Sequence, residues 1–342
     1  MNILVIRRDN IGDLLCTTPL LAGLRSAYPA AWIGVLANRY NAPILEGNPD
    51  IDAFFAYEKA KHRANGKGRL TVWYETARLL WRLRRMKLDL VLCASPGARR
   101  FARLLAPQQI IEADRSGTEH EVAITWRLLA SSGITGTPSP MVLHADTQHR
   151  SKMQQHFGLT DGERRIAIHL SARKPPQRWP IDHFGGFIRR VLAEDLADRI
   201  LLFWAPGDES DPLHPGDDRK AAQLLADLAG LPVTPVPTHA LAELVAGLSL
   251  ADATICSDGG AMHIAAALGK PIVCLFGNSS AERWHPWGVP YELLQKPSHD
   301  VSDISVDEVF SAYQRLLKRI GDVIHRPHSR KTLQLTDERL TL

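Results

Sequence analysis

The stretch RRDNIGDLL, Arg7 to Leu15, contains the first side chains whose types and spacing could do chemistry. The stretch directly follows the apolar run NILVI and places Asp13 near the start of a predicted helix. The positive end of a helix dipole, together with Arg7 and Arg8, would keep this carboxylate ionised. An ionised carboxylate in a cleft can act as a general base. Taken alone, the stretch favours a plainer interpretation, in which Asp13 caps the helix, or Asp13 or Asp9 pairs with an arginine.

A second stretch, SDGGAMH, follows the apolar run ATICS. Gly259 and Gly260 would leave backbone N–H groups uncovered before a helix predicted from about Ala261, and such groups suit a diphosphate. Asp258 can accept hydrogen bonds from sugar hydroxyls, and His263 lies one turn into the helix. The alternative is a tight turn with an ordinary helix-face histidine. The next loop, FGNSSAERWHPWG, favours a ligand site because it adds hydroxyls, an arginine and two tryptophans at the end of a neighbouring strand.

The elements that must position these loops are parallel strands alternating with helices in both halves of the chain, an α/β pattern. Two doubly wound domains would bind ligands in a cleft at the carboxyl ends of their sheets. A Gly/Pro/Ser-rich stretch near residues 140–155 predicts the domain boundary. We therefore expect domains at 1–150 and 151–325 and a tail at 326–342. The predicted strands are NILVI, WIGVLA and DLVLCA in the first half and RIAIHL, ILLFW, ATICS and PIVCLF in the second.

Length and composition limit the class of protein. The chain has 342 residues, 45% of them apolar, which is enough for two domains with separate cores. The opening MNILVIRRDN does not match a secretory signal, and the apolar runs are far shorter than the roughly 18 residues of a membrane-spanning helix. A cytoplasmic protein is expected. Four cysteines without metal-ligand or CxxC spacing are predicted to be small buried side chains: Cys16, Cys93, Cys256 and Cys274.

Positive charge is concentrated in one segment. Residues 59–103 hold 13 Lys or Arg against two acidic residues, a net charge of +11 in a chain of +4, so the remainder carries −7. Such a field attracts an anionic partner. The helical pattern of residues 71–88 fits a helix lying on an anionic membrane surface and, equally well, a crossover helix packed on its own sheet. No nucleic-acid partner is expected, because no helix-turn-helix, RRM or KH pattern accompanies the charge.

Four stretches in order resemble the ADP-heptose:lipopolysaccharide heptosyltransferases, glycosyltransferase family 9. They are ILVIRRDNIGDLLCTTPLL, HLSARKPPQRWP, FWAPGDESDPLHPGDD and SDGGAMHIAAALGKPIVCLFGNSSAERWHPWG, and they span most of the chain. The resemblance implies a GT-B fold with an N-terminal acceptor domain and a C-terminal nucleotide-sugar domain. It also implies inverting transfer of heptose from ADP-heptose to the inner core of lipopolysaccharide, without metal or cofactor, at or near the cytoplasmic face of the inner membrane.

The resemblance also assigns roles to residues. Asp13 takes the place of the catalytic base, which reverses the plainer interpretation given above. The family commonly has a lysine where this chain has Gln177, so Lys174, then Arg178, then Arg173 are the candidates for neutralising the diphosphate. Asp218 is expected to bind the ribose, with Asp208 in reserve, and a solvated, turn-forming acidic loop is an equally good interpretation of both. The full donor side is Ser171, Lys174, Arg178, Asp218, Asp258, Gly259, Gly260, Met262 and His263; the acceptor is expected to meet Arg7, Arg8, Asn10, Gly12, Arg63, Arg99 and Arg100.

Two other functions remain open from the sequence. One is transfer of a different sugar on the same scaffold, for instance an N-acetylhexosamine from UDP. The other is a non-catalytic protein that binds nucleic acid or anionic lipid through the basic segment.

Overall fold

The computed structural model describes residues 1–57, 69–211 and 215–324. Its first half is a five-stranded parallel sheet in the order β3-β2-β1-β4-β5. The central strand β1 is apolar from Ile3 onward, and these residues are buried because helices cover both faces of the sheet. Predicted Arg63, the basic loop around it and the tail at 326–342 lie outside the described residues. The strands are β1 (Asn2–Ile6), β2 (Trp32–Asn38), β3 (Ala53–Tyr57), β4 (Leu90–Cys93) and β5 (Gln109–Glu112).

The helical run after β1 is divided in two, with Pro19 in the first turn of the second helix. Proline is tolerated there because its missing N–H would have no helical partner. Thr17 is the N-cap, and its hydroxyl donates to the backbone carbonyl of Asp13 at 2.9 Å. The helices of this half are α1 (Ile11–Leu15), α2 (Thr18–Ala27), α3 (Arg69–Arg85), α4 (Ala98–Leu104) and α5 (Glu121–Trp126), with 3₁₀ turns at Ala42–Leu45 and Arg127–Ser132.

The second half is a six-stranded parallel sheet in the order β11-β10-β9-β6-β7-β8. Numbered within this half, that is the order 6-5-4-1-2-3 of a doubly wound dinucleotide-binding sheet, and the first sheet repeats the same order with one strand fewer. The strands are β6 (Arg165–His169), β7 (Arg199–Trp204), β8 (Val233–Pro237), β9 (Ala253–Ser257), β10 (Ile272–Phe276) and β11 (Tyr291–Gln295).

Helices cover this sheet too, and α12 packs beside α7 on its outer face. The predicted boundary at residue 150 falls inside α6, which packs on α9 and so belongs to the second half. The helices are α6 (Thr147–His156), α7 (Ile181–Ala193), α8 (Asp218–Asp227), α9 (Leu241–Ser249), α10 (Gly260–Ala267), α11 (Ala281–Trp284) and α12 (Val306–Ile324), with 3₁₀ turns at Pro175–Gln177 and Val301–Asp303.

All seven strands predicted from the sequence are present, and they occupy the interior of the two sheets. The four strands that the sequence does not predict are β3, β5, β8 and β11, and each lies at a sheet edge. An edge strand has one side free of partners and is only partly buried, and β5, β8 and β11 accordingly mix polar with apolar residues. The edge strand β3, AFFAY, is apolar, but only Phe55 in it is buried. The apolar runs predicted as strands therefore identify interior strands, although an edge strand can be apolar as well.

The two halves are packed directly on one another. One cluster of buried apolar side chains includes Leu14 and Leu15 of α1 together with Ile264 of α10. The connecting segment joins both halves, since the N–H of Leu143 donates to the Ala267 carbonyl at 3.1 Å. The packing of α1 on α10 brings the loop after β1 against the turn that follows β9.

Candidate active site

A cleft of ≈ 380 Å³ lies where the carboxyl ends of the two sheets meet. Its walls are the loops after β1 and β2 in the first half and after β6, β9 and β10 in the second. In both sheets the central loops flank the point where strand order reverses, the usual ligand site of this topology. The lining residues are Asn10, Ile11, Gly12, Asp13, Tyr40, His169, Ser171, Ala172, Arg173, Lys174, Gln177, Ser257, Asp258, Gly259, Gly260, Ala261, His263, Ser279 and Trp284.

Asp13 lies in the first turn of α1 and is 8% exposed, at the wall of the cleft. One oxygen accepts from Arg7 Nη2 at 2.5 Å. The other accepts from the backbone N–H and the side-chain amide of Asn10, each at 3.0 Å. The plainer interpretation is therefore correct as far as it goes, because Asp13 both caps α1 and forms an ion pair. Those contacts hold a carboxylate at the surface of a ligand-sized cleft.

The charge state of Asp13 follows from these partners. Burial by itself raises the pKa of the carboxyl, but the charge of Arg7 and the hydrogen bonds from Asn10 outweigh it, so that the pKa lies below its ordinary value. Asp13 is ionised at neutral pH and can accept a proton.

The Nη2 of Arg7 donates to two carboxylates at once. Besides Asp13, it donates to Glu121 Oε1 at 2.8 Å, and both Arg7 and Glu121 are 0% exposed. Glu121 begins α5 and also receives Arg115 from the first half and Arg283 from the second. Sequence reasoning missed Glu121 because it follows β5, an edge strand with no apolar run.

The opposite wall is the turn from β9 into α10. Gly259 is its N-cap, so the helix begins at Gly260, one residue before the predicted start. A side chain at Gly259 would meet no atom within 4 Å, and one at Gly260 would make only ordinary contact with Ile11. Packing does not require glycine at either position. What the two glycines provide is open cleft space beside backbone N–H groups at a helix start.

Asp258 lies beside this turn and is tied to the loop after β6. Gln177 is 6% exposed, and its side-chain N–H₂ donates to Asp258 Oδ2 at 2.9 Å and to Ser279 Oγ at 3.1 Å. A neutral amide thus occupies the position where a lysine was expected. Any cation for an anionic ligand must come from elsewhere.

Gly12 and His263 bring the two walls together. A Cβ built on Gly12 would lie 2.3 Å from His263 Cδ2 and 2.9 Å from Nε2, so only glycine fits there. The imidazole is 4% exposed, and its Nδ1 lies 4.0 Å from Cys16 Sγ. Burial lowers the pKa of His263 more than Asp258 and Asp13 raise it, so the ring is neutral at pH 7.

Two cations of the loop after β6 face the cleft. Arg173 and Lys174 are exposed and line it, and no carboxylate within the described ranges forms an ion pair with either. Arg178 differs, because its guanidinium donates to the backbone carbonyls of Ala172 and Arg173. Of the three candidates for a diphosphate cation, Lys174 and Arg173 are suitably placed and Arg178 is not.

Several predicted binding residues lie outside the cleft. Met262 and Arg7 are 0% exposed, the first in the apolar cluster and the second beneath Asp13, so neither can touch a ligand here. Asp218 accepts from Trp204 Nε1 at 2.7 Å and from the Gly207 N–H at 2.9 Å, which makes it a support of the β7 turn. Outside the lining set as well, Arg8 lies over the rings of Tyr57 and Phe101, Arg99 and Arg100 are exposed on α4, and Asp208 accepts from the Ser210 N–H.

The cleft also has members that the sequence did not single out. Tyr40 follows β2, His169 ends β6, and Trp284 closes α11. Burial lowers the pKa of His169 to about 4, so it is uncharged in the neutral range. Tyr40 and His169 could have been found by applying the strand-end rule to every predicted strand.

Two structural absences concern only the described part of the chain. It contains no group of three or more His, Cys, Asp or Glu side chains that could hold a metal ion. It also contains no helix with the length and hydropathy needed to cross a membrane. All four cysteines are buried and free, as predicted.

The chain is similar to proteins of one known family. A model of glycosyltransferase family 9 (heptosyltransferase) matches residues 94–308. Lipopolysaccharide heptosyltransferase 3 of Escherichia coli is 26% identical over 301 residues, covering 81% of this chain and 83% of that protein. Lipopolysaccharide heptosyltransferase 2 of Salmonella typhimurium is 24% identical over 301 residues, covering 82% and 84%.

Solved structures match the fold. The E. coli ADP-heptose lipopolysaccharide heptosyltransferase II superposes with a TM-score of 0.73 at 20% identity, covering 94% of this chain and 100% of that one. An E. coli heptosyltransferase solved with ADP superposes with a TM-score of 0.74 at 19% identity, covering 92% and 100%. The predicted GT-B architecture of two Rossmann-like domains facing a cleft is confirmed.

Proposed function

This chain belongs to glycosyltransferase family 9 and is a glycosyltransferase; on that premise we propose that it transfers a heptose from ADP-heptose to the inner core of a lipopolysaccharide, with Asp13 as general base. The observation that carries the proposal is the single cleft that holds the Asp13 carboxylate on one wall and the Gly259–Gly260 turn on the other. The names of the curated relatives, lipopolysaccharide heptosyltransferases 2 and 3, support the sugar and the acceptor. Membership of an enzyme family removes the support for a non-catalytic nucleic-acid-binding protein.

The proposed reaction is one displacement. An acceptor hydroxyl gives its proton to the carboxylate of Asp13 while its oxygen forms a bond to the anomeric carbon of the heptose. The bond from that carbon to the diphosphate oxygen breaks on the opposite face, so the configuration inverts and ADP leaves with the electron pair. Asp13 can take the proton because it is ionised before the acceptor binds.

The departing diphosphate gains negative charge. The wall of the cleft formed by the second half can stabilise that charge. The first residues of α10 line the cleft, so their backbone N–H groups can donate to the diphosphate, and the side chains of Lys174 and Arg173 supply positive charge. Asp258 can accept hydrogen bonds from sugar hydroxyls without losing its bond from Gln177, because a carboxylate has several acceptor positions. No metal or cofactor enters the proposal.

The acceptor side of the proposal rests on charge. Exposed Arg99 and Arg100 follow β4 at the same edge of the sheet as Asp13. They can meet the phosphates and acidic sugars of a lipid-linked acceptor as it enters from the first half. The proposed place of action is the cytoplasmic face of the inner membrane, with α3 as the contact.

The test replaces Asp13 by Asn, which keeps the shape of the side chain and removes the base. With ADP-heptose and a truncated lipopolysaccharide, mass spectrometry should show a gain of one heptose for the wild type. We expect kcat to fall by about 10³-fold or more in Asp13→Asn, while ADP still stabilises the protein against heat. The matched control is Asp182→Asn, which changes an exposed carboxylate in the first turn of α7.

Three outcomes would contradict parts of the proposal. Full turnover by Asp13→Asn would remove Asp13 as the base. Stabilisation by UDP in place of ADP would indicate another donor, such as a UDP-linked N-acetylhexosamine. No mass gain on any lipopolysaccharide acceptor would exclude the proposed acceptor.

A further inference from the structure

Arg283 crosses between the two halves. It belongs to α11 of the second half, and its guanidinium reaches Glu121 of the first, with Nε and Nη2 at 3.1 and 2.8 Å from Oε2. Glu121 is 0% exposed, and the Arg283 side chain is 24% exposed. Arg283 is not among the residues that line the cleft.

Glu121 divides its two oxygens between the halves. Oε2 faces Arg283, whereas Oε1 accepts from Arg7 and Arg115 of its own half. The Arg7 Nη2 that binds Glu121 at 2.8 Å also binds Asp13 at 2.5 Å. An unbroken chain of charged hydrogen bonds therefore runs from Arg283 through Glu121 and Arg7 to the carboxylate of Asp13.

Neighbouring contacts hold the same two segments together. The Thr118 hydroxyl donates to Glu282 at 3.0 Å, and His120 Nε2 lies 2.9 Å from the carbonyl oxygen of His285. The His120 ring also stacks on Trp287, with centroids 4.7 Å apart. The Glu121–Arg283 pair is thus the charged centre of an interface formed by residues 118–121 and 282–287.

We propose that Arg283 is a positioning residue that latches the two halves together and, through Glu121 and Arg7, holds Asp13 in place for glycosyl transfer. The role in transfer rests on the proposed function. The latch itself rests only on the geometry.

The charges give the physical reason. In the latched state three arginines face three carboxylates: Arg7, Arg115 and Arg283 against Asp9, Asp13 and Glu121. When the halves separate, Arg283 leaves with its own half and two cations remain for three anions. Glu121 keeps Arg7 and Arg115 but loses the cation at Oε2, and a buried carboxylate that loses part of its compensating charge is destabilised. Glu121 then competes more strongly for Arg7, and Asp13 loses part of the cation that orients it.

The loss of Arg283 should therefore be visible in the pH dependence of transfer. With less of the positive charge of Arg7 near it, Asp13 has a higher pKa and is protonated at a higher pH. The acid limb of the plot of kcat against pH then moves to higher pH. The charged and titratable groups that face Asp13 from the elements around it are Arg7, Asp9, Cys16, Glu121 and His263, with Asp258 behind the last.

The test compares Arg283→Gln with Arg283→Lys, which keeps the charge, and with Arg315→Gln as control. Arg315 is an exposed arginine of the second half that binds Glu292 at 2.9 Å, away from the cleft. We expect kcat to fall by about tenfold in Arg283→Gln, with a smaller change in KM for the donor and an upward shift of the acid limb. Arg283→Lys should recover most of the activity, and Arg315→Gln should match the wild type.

A second-site variant tests the mechanism. If the harm comes from the competition of Glu121 with Asp13 for Arg7, adding Glu121→Gln to Arg283→Gln should raise kcat above that of Arg283→Gln alone. A merely structural role predicts the opposite, because the double variant has lost more contacts. This comparison also serves if Arg283→Gln folds poorly, since circular dichroism identifies that case and Arg283→Lys remains available.

Small-angle X-ray scattering without substrate provides a readout that needs no transfer. Arg283→Gln should show a larger radius of gyration than the wild type and Arg315→Gln. Unchanged scattering, kcat and pH profile in Arg283→Gln would overturn the proposal. If the wild type transfers no sugar, the proposed function fails and the scattering comparison alone decides the latch.

Discussion

At the residue scale, the absence of a Cβ at Gly12 allows the two halves to approach closely. Gly12 lies at the wall of the cleft beside Asp13, and the ring of His263 fills the place where a larger side chain would project. The histidine is buried and neutral, so it packs on the glycine without a charge of its own. The contact joins the catalytic loop proposed for one half to the diphosphate helix proposed for the other.

Gly12→Ala is expected to lower both kcat and the thermal stability of the fold. An alanine Cβ at 2.3 Å from His263 Cδ2 forces the halves or the ring to move, and overpacking a buried contact costs roughly 1–3 kcal/mol. The check is kcat together with a thermal melt. Gly185→Ala in α7 is the control, because its Cβ meets the movable end of Arg189 at 3.2 Å and makes ordinary contact with Leu224 at 3.5 Å. Wild-type kcat in Gly12→Ala would contradict the importance of the close approach.

At the element scale, the packing of α3 bears on the two interpretations of residues 71–88, a membrane-surface helix and a crossover helix. Leu83 is fully buried against the first sheet, with Leu79 and Leu80 partly buried beside it, so α3 is the crossover helix of a βαβ unit. Its outer side is also apolar, with Trp73 at 72% and Trp81 at 60% exposure. Leu70 and Tyr74 are exposed as well, and arginines flank them. Exposed tryptophan and tyrosine beside basic residues favour an anionic membrane surface as the partner of this side.

Replacing Trp73 and Trp81 by Ser should weaken binding to vesicles that contain anionic lipid. Each tryptophan would otherwise bury apolar surface at the lipid boundary, so we expect at least about a tenfold weaker partition, or ~1.4 kcal/mol. Sedimentation with phosphatidylglycerol vesicles measures this, and phosphatidylcholine vesicles test the part due to charge. Leu231→Ser, at an exposed apolar residue of the second half, is the matched control. Equal binding by all variants would rule out this surface.

At the scale of the whole molecule, buried histidines make stability depend on pH. Burial lowers the pKa of His120, at the contact between the halves, to about 4, and burial does the same to His169 at the end of β6. Both are neutral when folded, whereas their ordinary value is 6.5 in each case. Between those values the unfolded chain binds more protons, so stability falls as pH falls from 6.5 towards 4.

We expect the free energy of unfolding to be lower at pH 5 than at pH 7 by on the order of 1–2 kcal/mol for each of these histidines. Urea denaturation at several pH values measures the slope. His120→Asn should reduce the slope, because asparagine is uncharged and can still accept the Val122 N–H that His120 Nδ1 accepts at 3.1 Å. An unchanged slope in this variant would show that His120 does not contribute.

Much of the fold and half of the site could be predicted locally. Interior strands were recognisable because burial on both faces demands a continuous apolar run, and the loops of Asp13 and Gly259 were recognisable because they follow such strands. The edge strand β5 lacked that signal, so the loop after it, which carries Arg115 and Glu121, was not recognised. Side-chain partners were not readable from residue type: for Asp218 the sequence left ribose binding and support of a turn equally open, and only its bonds to Trp204 and Gly207 decide for the turn.

The sequence by itself determined the two parallel sheets, the family, and which two turns carry the carboxylate and the glycines, since each depends on short-range patterns of burial and backbone freedom. Only the tertiary structure decided that Arg7 is shared between Asp13 and Glu121, that Gln177 binds Asp258, and that Arg283 reaches across from the other half. These pairings join residues 6 to 162 positions apart. The partner that a charged side chain finds is set by the packing of whole domains, which no local pattern records.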